Sequence, residues 1–367
     1  MPKKIVVAID SFKGCLTSKE ANEAAASGVL TVMPDAEVVK IPVSDGGEGW
    51  LDAFGNARDA RWIEVPVRDP LMRRITAQYL TKGDTAVIEM ARASGLMLVA
   101  AEERNPMVAT SYGTGQLVAD AVRRGYRHIV VGLGGSATSD CGIGMLRAIN
   151  DTFAPQGSWG DVRLPADVRF TIATDVTSPL CGKNGAARVF APQKGATPEM
   201  VERLEARARR FAAVSARHFG YDCQDEPGAG AAGGLGYAFL QYLHAERRPG
   251  IEVLFDAIHF DLHLQDADLV ITGEGSADRQ TLMGKLPFGV LQRAKAQGVP
   301  VVLTAGHIAD REALAEAGFA RVECINPAGF TIEEALIPQN AQKNIREKVG
   351  DILTTLPPAK FLLKLSD

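Results

Sequence analysis

Cysteine is scarce and never clustered: Cys15, Cys141, Cys181, Cys223 and Cys324 are isolated, odd in number and nowhere spaced as C-x-x-C. That excludes a disulfide framework or a zinc ribbon and fits a reducing cytoplasm. No apolar run approaches the ~20 residues a membrane helix needs, and Met1-Pro-Lys-Lys followed by the short run 5–9 cannot form a secretory signal core. A cytoplasmic protein with no membrane partner is expected. An excess of either charge is also missing, since 40 Lys and Arg stand against 44 Asp and Glu for a net charge of −4. With no broad basic field, nucleic acid is excluded as a partner. There is no internal repeat, coiled-coil heptad or low-complexity tail. Nor is there a G-x-x-x-x-G-K-[ST] loop, because Gly284-Lys285 is followed by Leu286 and Gly182-Lys183 by Asn184. Protein-kinase signatures are absent as well, so a phosphotransferase built on this chain belongs to neither common class.

What is present is glycine, at 37 of 367 residues, or about 10% against a usual ~7%. A hydrophobic content of 46% with 23% charge describes a globular chain able to bury a large core, which excludes disorder. Its length favours two domains over one. The β-branched run Ile5-Val-Val-Ala-Ile9 predicts a buried parallel strand, an alanine-rich helix follows over 18–30, and a second strand covers 37–43. This is a βαβ unit with polar loops at its strand ends, where open α/β sheets place ligands. Between 61 and 91 three short segments joined by tight turns predict antiparallel pairing, and a boundary follows near 65. A helix over 115–124, a strand over 128–131, a short helix over 143–149 and a strand over 170–174 restore alternation. Thr197-Pro198 opens a long helix, with threonine as cap and proline in the first turn. Strands over 267–272, 299–304 and 321–325 close the chain. The predicted architecture is α/β: residues 1–65 plus 265–367 form one parallel domain from both chain ends, and 66–264 form an inserted mixed α/β domain.

Seventeen of the glycines fall in five runs, 46–49, 113–115, 132–144, 228–236 and 273–275. Most follow a strand or open a helix, where bare backbone N–H groups face an anion. The run Gly132-Leu-Gly-Gly-Ser-Ala-Thr-Ser-Asp140 satisfies G-x-G-x-x-A, yet a dinucleotide fold wants an acidic residue about 20 positions on at the end of the next strand, and that strand ends only at Asp175. Gly134, Gly135, Ser136 and Thr138 suit a phosphate cradle better, while a tight turn is the bland alternative. Phosphoryl transfer needs cations on the phosphates, carboxylates for Mg²⁺ and a group that orients or deprotonates the attacking hydroxyl. Loops supply all three: Asp10, Ser11 and Lys13 after the first strand, Asp45 and Glu48 after the second, Asp175, Lys194, and Glu274, Asp278 and Lys285. Any one of these alone reads more readily as a solvated loop charge; five such loops beside glycine do not. The six histidines lack metal-ligand spacing, and Cys141 has no histidine near it for a thiol nucleophile.

The ordered blocks Asp10-Ser-Phe-Lys-Gly14, Ser44-Asp-Gly-Gly-Glu-Gly49, Val87-Ile-Glu-Met-Ala91, Arg104-Asn-Pro106, Tyr112-Gly-Thr-Gly115, Gly134-Gly-Ser-Ala-Thr138, Pro192-Gln-Lys-Gly-Ala196, the glycine stretch 228–236 and Thr272-Gly-Glu-Gly275 resemble those of bacterial type I glycerate kinases, over nearly the whole chain. The resemblance implies ATP- and Mg²⁺-dependent phosphorylation of D-glycerate at the 2-hydroxyl, giving 2-phosphoglycerate in glyoxylate and sugar-diacid breakdown. It also implies a flavodoxin-like domain built from both chain ends, a second domain inserted into it, and a site in the cleft. By chemistry and loop position, Asp10 or Asp45 orients the hydroxyl, and Lys13 or Arg104 holds the glycerate carboxylate with Ser11 and Glu48 nearby. Gly134, Gly135, Ser136, Thr138, Lys194, Gly233, Gly234 and Lys285 hold ATP, and Asp175, Glu274 and Asp278 meet Mg²⁺ or the ribose, Asp175 being the metal candidate. A monomer or homodimer is expected. Where the family has arginine this chain has Ser276, and Cys141 stands at a usual glycine. A kinase giving 3-phosphoglycerate or acting on another hydroxy acid, a nicotinamide-dependent oxidoreductase and a non-catalytic sensor are the alternatives.

Overall fold

The structure is a computed structural model that describes residues 3–43, 50–55 and 59–355. Its strands, in chain order, are β1 (Lys4–Ile9), β2 (Glu37–Lys40), β3 (Arg61–Arg68), β4 (Arg74–Lys82), β5 (Thr85–Glu89), β6 (His128–Gly132), β7 (Arg169–Ala173), β8 (Glu246–Arg248), β9 (Leu269–Ala277), β10 (Val301–Ile308) and β11 (Arg321–Cys324). They form two sheets, each within its own compact unit. Met1–Asp45 with Ile251–Asp367 make the first unit, and Gly46–Gly250 the second.

The first sheet runs β11-β10-β9-β1-β2 with every pair parallel. Counted within the sheet this is the flavodoxin-like order 2-1-3-4-5, with its switch point between β1 and β9. Residues Ile5 to Ile9 are fully buried because helices cover both faces of a parallel sheet, which is why the run carries no polar alternation. Helix Ser18–Val32 starts at a capping box of Thr17 and Glu20. It packs against helix Pro338–Thr355 so closely that a Cβ on Gly28 would overlap the Arg346 carbonyl. Asn22 on the same helix accepts from the Ile9 N–H at 3.3 Å and donates to the Ile9 carbonyl at 2.9 Å. Those bonds fix the point where β1 gives way to the loop 10–13.

The second sheet is mixed, in the order β3-β4-β5-β6-β7-β8. Its first two pairings are antiparallel, as the turns between 61 and 91 predict, and the remainder are parallel. The 22-residue helix Pro198–Phe219 begins where Thr197 accepts from the Met200 N–H. Residues 61–65, placed with the first domain by the sequence, are part of β3 and pair with β4 from Arg61↔Thr81 onward. At the other end, Ile251 and Phe255 pack on Gly289 of helix Leu286–Ala296, and Arg293 bridges to Glu252, Asp256 and Asp261. Residues 251–264 therefore go with the first unit. Among the described residues no helix is long and apolar enough to cross a membrane.

Candidate active site

Each unit contributes one group of the predicted residues. In the first unit the C-terminal ends of β1 and β9 lie side by side, with the Asp10 N–H donating to the Gly273 carbonyl at 2.9 Å. Asp10 is 9% exposed and its Oδ1 accepts from the Ser11 N–H at 2.6 Å. A Cβ on Gly275 would touch only Phe12 Cα and Lys13 N, so bare backbone of β9 lies against the loop 10–13. Around this point opens a cavity of ≈ 860 Å³. Asp10, Ser11, Lys13, Glu274 and Lys285 line its polar part. Glu274 is buried, accepts from Thr281 Oγ1 at 2.6 Å and lies 3.8 Å from Lys285 Nζ.

Two expectations change here. The stretch Thr272-Gly-Glu-Gly-Ser-Ala277 is strand rather than loop, since β9 continues to Ala277 and pairs with β10 as far as Ile308↔Ala277. Glycine is needed within that strand because a Cβ on Gly273 would overlap Thr304. Asp278, expected beside Glu274 as a metal or ribose ligand, caps the following turn instead, its Oδ1 accepting from the Gln280 N–H at 2.7 Å. Ser276 lies 3.5 Å from His307 Nδ1.

In the second unit the glycine loop after β6 surrounds a buried lysine. Lys194, 2% exposed, donates from Nζ to Ser136 Oγ at 2.7 Å and to the Thr138 carbonyl at 2.6 Å. Burial pushes its pKa down to about 7, against the pull of Asp140. Asp140 ties the loop together: it accepts from Ser111 N at 2.8 Å, Ser111 Oγ at 2.9 Å, and Gly142 N and Gly144 N at 3.1 Å each. Gly233 and Gly234, expected to face the ligand, adopt left-handed backbone at φ +68° and +89° and pack behind this loop. A Cβ on Gly233 would overlap the Thr138 carbonyl, and the Gly233 carbonyl accepts from Cys141 N at 3.1 Å. Arg104 belongs with this group, because its carbonyl lies 2.7 Å from where a Cβ on Gly195 would sit, and its Nε is buried without a partner.

Cys141 occupies the left-handed region at φ +56°, a conformation that glycine adopts without steric cost. Burial, with Asp140 beside it, pushes its thiol far up, which removes it as a nucleophile. Asp175 is exposed beyond the end of β7, and among the described residues no three His, Cys, Asp or Glu side chains form a metal cluster. Asp45 and Glu48 lie outside the described residues. Glu89, quoted only within the block Val87-Ile-Glu-Met-Ala91, and Arg92 received no role from the sequence. They are 3.4 Å apart and line a second cavity of ≈ 620 Å³ with Gly134 and Gly135, and Arg92 stacks over Trp62. The available signal was an acidic residue ending an apolar strand, whose C-terminal end lies beside that of the strand preceding the glycine loop.

A model of the glycerate kinase family matches residues 5–158 and 159–357. Glycerate kinase from Bacillus subtilis is 40% identical over 98% of this chain and 99% of its own length. Glycerate 2-kinase from Escherichia coli K12 is also 40% identical, over 96% of this chain and 98% of its own. A crystal structure from Salmonella typhimurium LT2, assigned as a glycerate kinase 2, superposes with a TM-score of 0.82 at 41% identity, covering 99% of this chain and 100% of that one.

Proposed function

Since the chain belongs to the glycerate kinase family and is a kinase, we propose that it transfers the terminal phosphoryl group of ATP to the 2-hydroxyl of D-glycerate, releasing 2-phosphoglycerate and ADP. The observation that carries this reading is the cavity at the switch point, which gathers Asp10, Lys13, Glu274 and Lys285 around the ends of β1 and β9. Family membership sets the oxidoreductase alternative aside. The name of the Escherichia coli relative favours the 2-hydroxyl over the 3-hydroxyl.

In this mechanism the glycerate hydroxyl oxygen attacks the terminal phosphorus while the bond to the ADP oxygen breaks. Asp10 takes the hydroxyl proton, with Asp45 as the other candidate base. Lys13 holds the glycerate carboxylate, helped by Ser11 and Glu48, with Arg104 the alternative cation. Lys285, and Lys194 with Ser136, Thr138 and the Gly134-Gly135 backbone, stabilise phosphate oxygens. Mg²⁺ asks for only one or two protein carboxylates beside substrate phosphates; Glu274 of the cavity would hold it, with Asp175 of the second unit the other candidate. When bound, the ion neutralises phosphate charge. The five free cysteines support a reducing cytoplasmic setting for the enzyme, as monomer or homodimer.

The test is phosphorus NMR of the purified protein with ATP, Mg²⁺ and D-glycerate. A 2-phosphoglycerate resonance is expected; 3-phosphoglycerate would shift the regiochemistry, and no phosphorylated product would leave a ligand-binding protein without this activity.

A further inference from the structure

We infer that the first-unit cavity takes the nucleoside end of ATP, with Phe330, Ile332 and Leu336 forming its apolar wall and Asn326 reading the base. The inference rests on the kinase reading and adds to it the place and the selectivity of base recognition.

Size comes first. At ≈ 860 Å³ the cavity is far larger than a three-carbon acid can fill, and it lies in the upper part of the ~300–1,000 Å³ range of small-molecule sites. Its lining is also of two kinds. Asp10, Lys13, Glu274 and Lys285 are charged, whereas Phe330, Ile332 and Leu336 are apolar. A nucleotide has the same division between base and phosphates, and glycerate does not.

The apolar wall is unusual in its exposure. Thr331 caps the short helix Ile332–Ala335, and this leaves Ile332 76% exposed and Leu336 47% exposed. Apolar side chains grouped along one cavity and left in water are stabilised when a planar apolar ligand covers them.

Asn326 supplies polarity at the same cavity. Its Nδ2 donates to the Gly306 carbonyl at 2.8 Å, and its Oδ1 accepts from Asn344 Nδ2 at 3.1 Å. Those bonds fix the amide and use one of its two N–H groups and one of its two acceptor positions. One donor and one acceptor remain side by side, the pair that matches N7 and the 6-amino group of adenine. Guanine offers two acceptors along that edge and leaves the Asn326 acceptor unmet.

Ile332→Asp, Leu336→Asp and Asn326→Ala test this. The first two positions are exposed in the free protein, so the variants are expected to melt with the wild type. Steady-state kinetics should show KM for ATP raised by about tenfold or more in the two aspartate variants, with KM for glycerate unchanged. ADP titrated calorimetrically should lose affinity in parallel. In Asn326→Ala the preference of the wild type for ATP over GTP should narrow by about tenfold or more. Unchanged KM for ATP and ADP affinity, or a change confined to glycerate, overturns the inference. If the wild type transfers no phosphoryl group from ATP to glycerate, the proposed function fails, and ADP titration still decides the cavity: no binding by the wild type overturns the inference as well.

Discussion

At the scale of single residues, Lys194 makes the most specific demand, because it is a buried ammonium held by two neutral oxygens. Its folded pKa of about 7 lies below the ordinary 10.5. Below pH 7 both folded and unfolded chains carry the proton, and the cost of burial is felt in full. Between pH 7 and 10.5 the unfolded chain holds more of it, so this group makes stability rise with pH across that window. An anion docking on the ammonium restores the charge. We therefore expect ATP binding at pH 8 to take up part of a proton, read by calorimetry in buffers of different ionisation enthalpy, and Lys194→Met to abolish it. Zero uptake by the wild type would remove Lys194 as an anion ligand. Asp10→Asn and Lys13→Ala should lower kcat by about 10²–10⁴ while melting with the wild type; near-normal turnover in both would sink the arrangement proposed for the loop 10–13. Cys141, buried with its thiol pushed up, should resist iodoacetamide in the native protein while Cys15 and Cys324, which line the first-unit cavity, label first in a mass-spectrometric time course.

Among the elements, packing explains glycines that chemistry does not. Gly28→Ala drives a methyl into the Arg346 carbonyl of the facing helix and should cost about 1–3 kcal/mol, seen as a lower melting temperature. Much of the architecture was legible because its signals were local: the apolar run of β1, the cap at Thr197 and the tight turns from 61 to 91 each carry their cause within a few residues. Strand β8 was not, since Glu246-Arg-Arg248 has no β-forming character and exists because β7 offers an edge to pair with. The far half of β9 was hidden for the opposite reason: Gly-Glu-Gly-Ser signals a break, and only the approach of β10 makes glycine the fitting residue. The site divides in the same way. Asp10, Lys13, Glu274 and Lys285 were visible as charges beside glycine and do share one cavity. The bracing role of Gly233 and Gly234 depends on the distant loop at Thr138 and Cys141, which no single stretch of sequence displays, whereas the cap at Asp278 and the pairing of Glu89 with Arg92 span only two or three residues and needed the backbone geometry to be recognised.

For the whole molecule, the two sheets have separate cores. One draws on residues from Val65 to Ala245, the other on Ile5 to Val29 and Leu269 to Leu353, with no residue in common. A fragment of residues 46–250 should therefore unfold cooperatively on its own by circular dichroism. A fragment ending at 250 should show the melting of the second unit alone, its first 45 residues contributing no sheet signal; a native-like spectrum for them would contradict the pairing of β1 with β9. That pairing also sets a timetable. Ile5 finds its neighbour Leu269 some 264 positions later in the chain, and at ~5–20 residues per second the ribosome needs roughly 13–50 s to deliver it. During that interval the second unit can finish folding while the most apolar strand of the protein waits with one edge unpaired. Through that interval β1 is expected to be the segment most open to chaperone binding, and to aggregation when synthesis stalls.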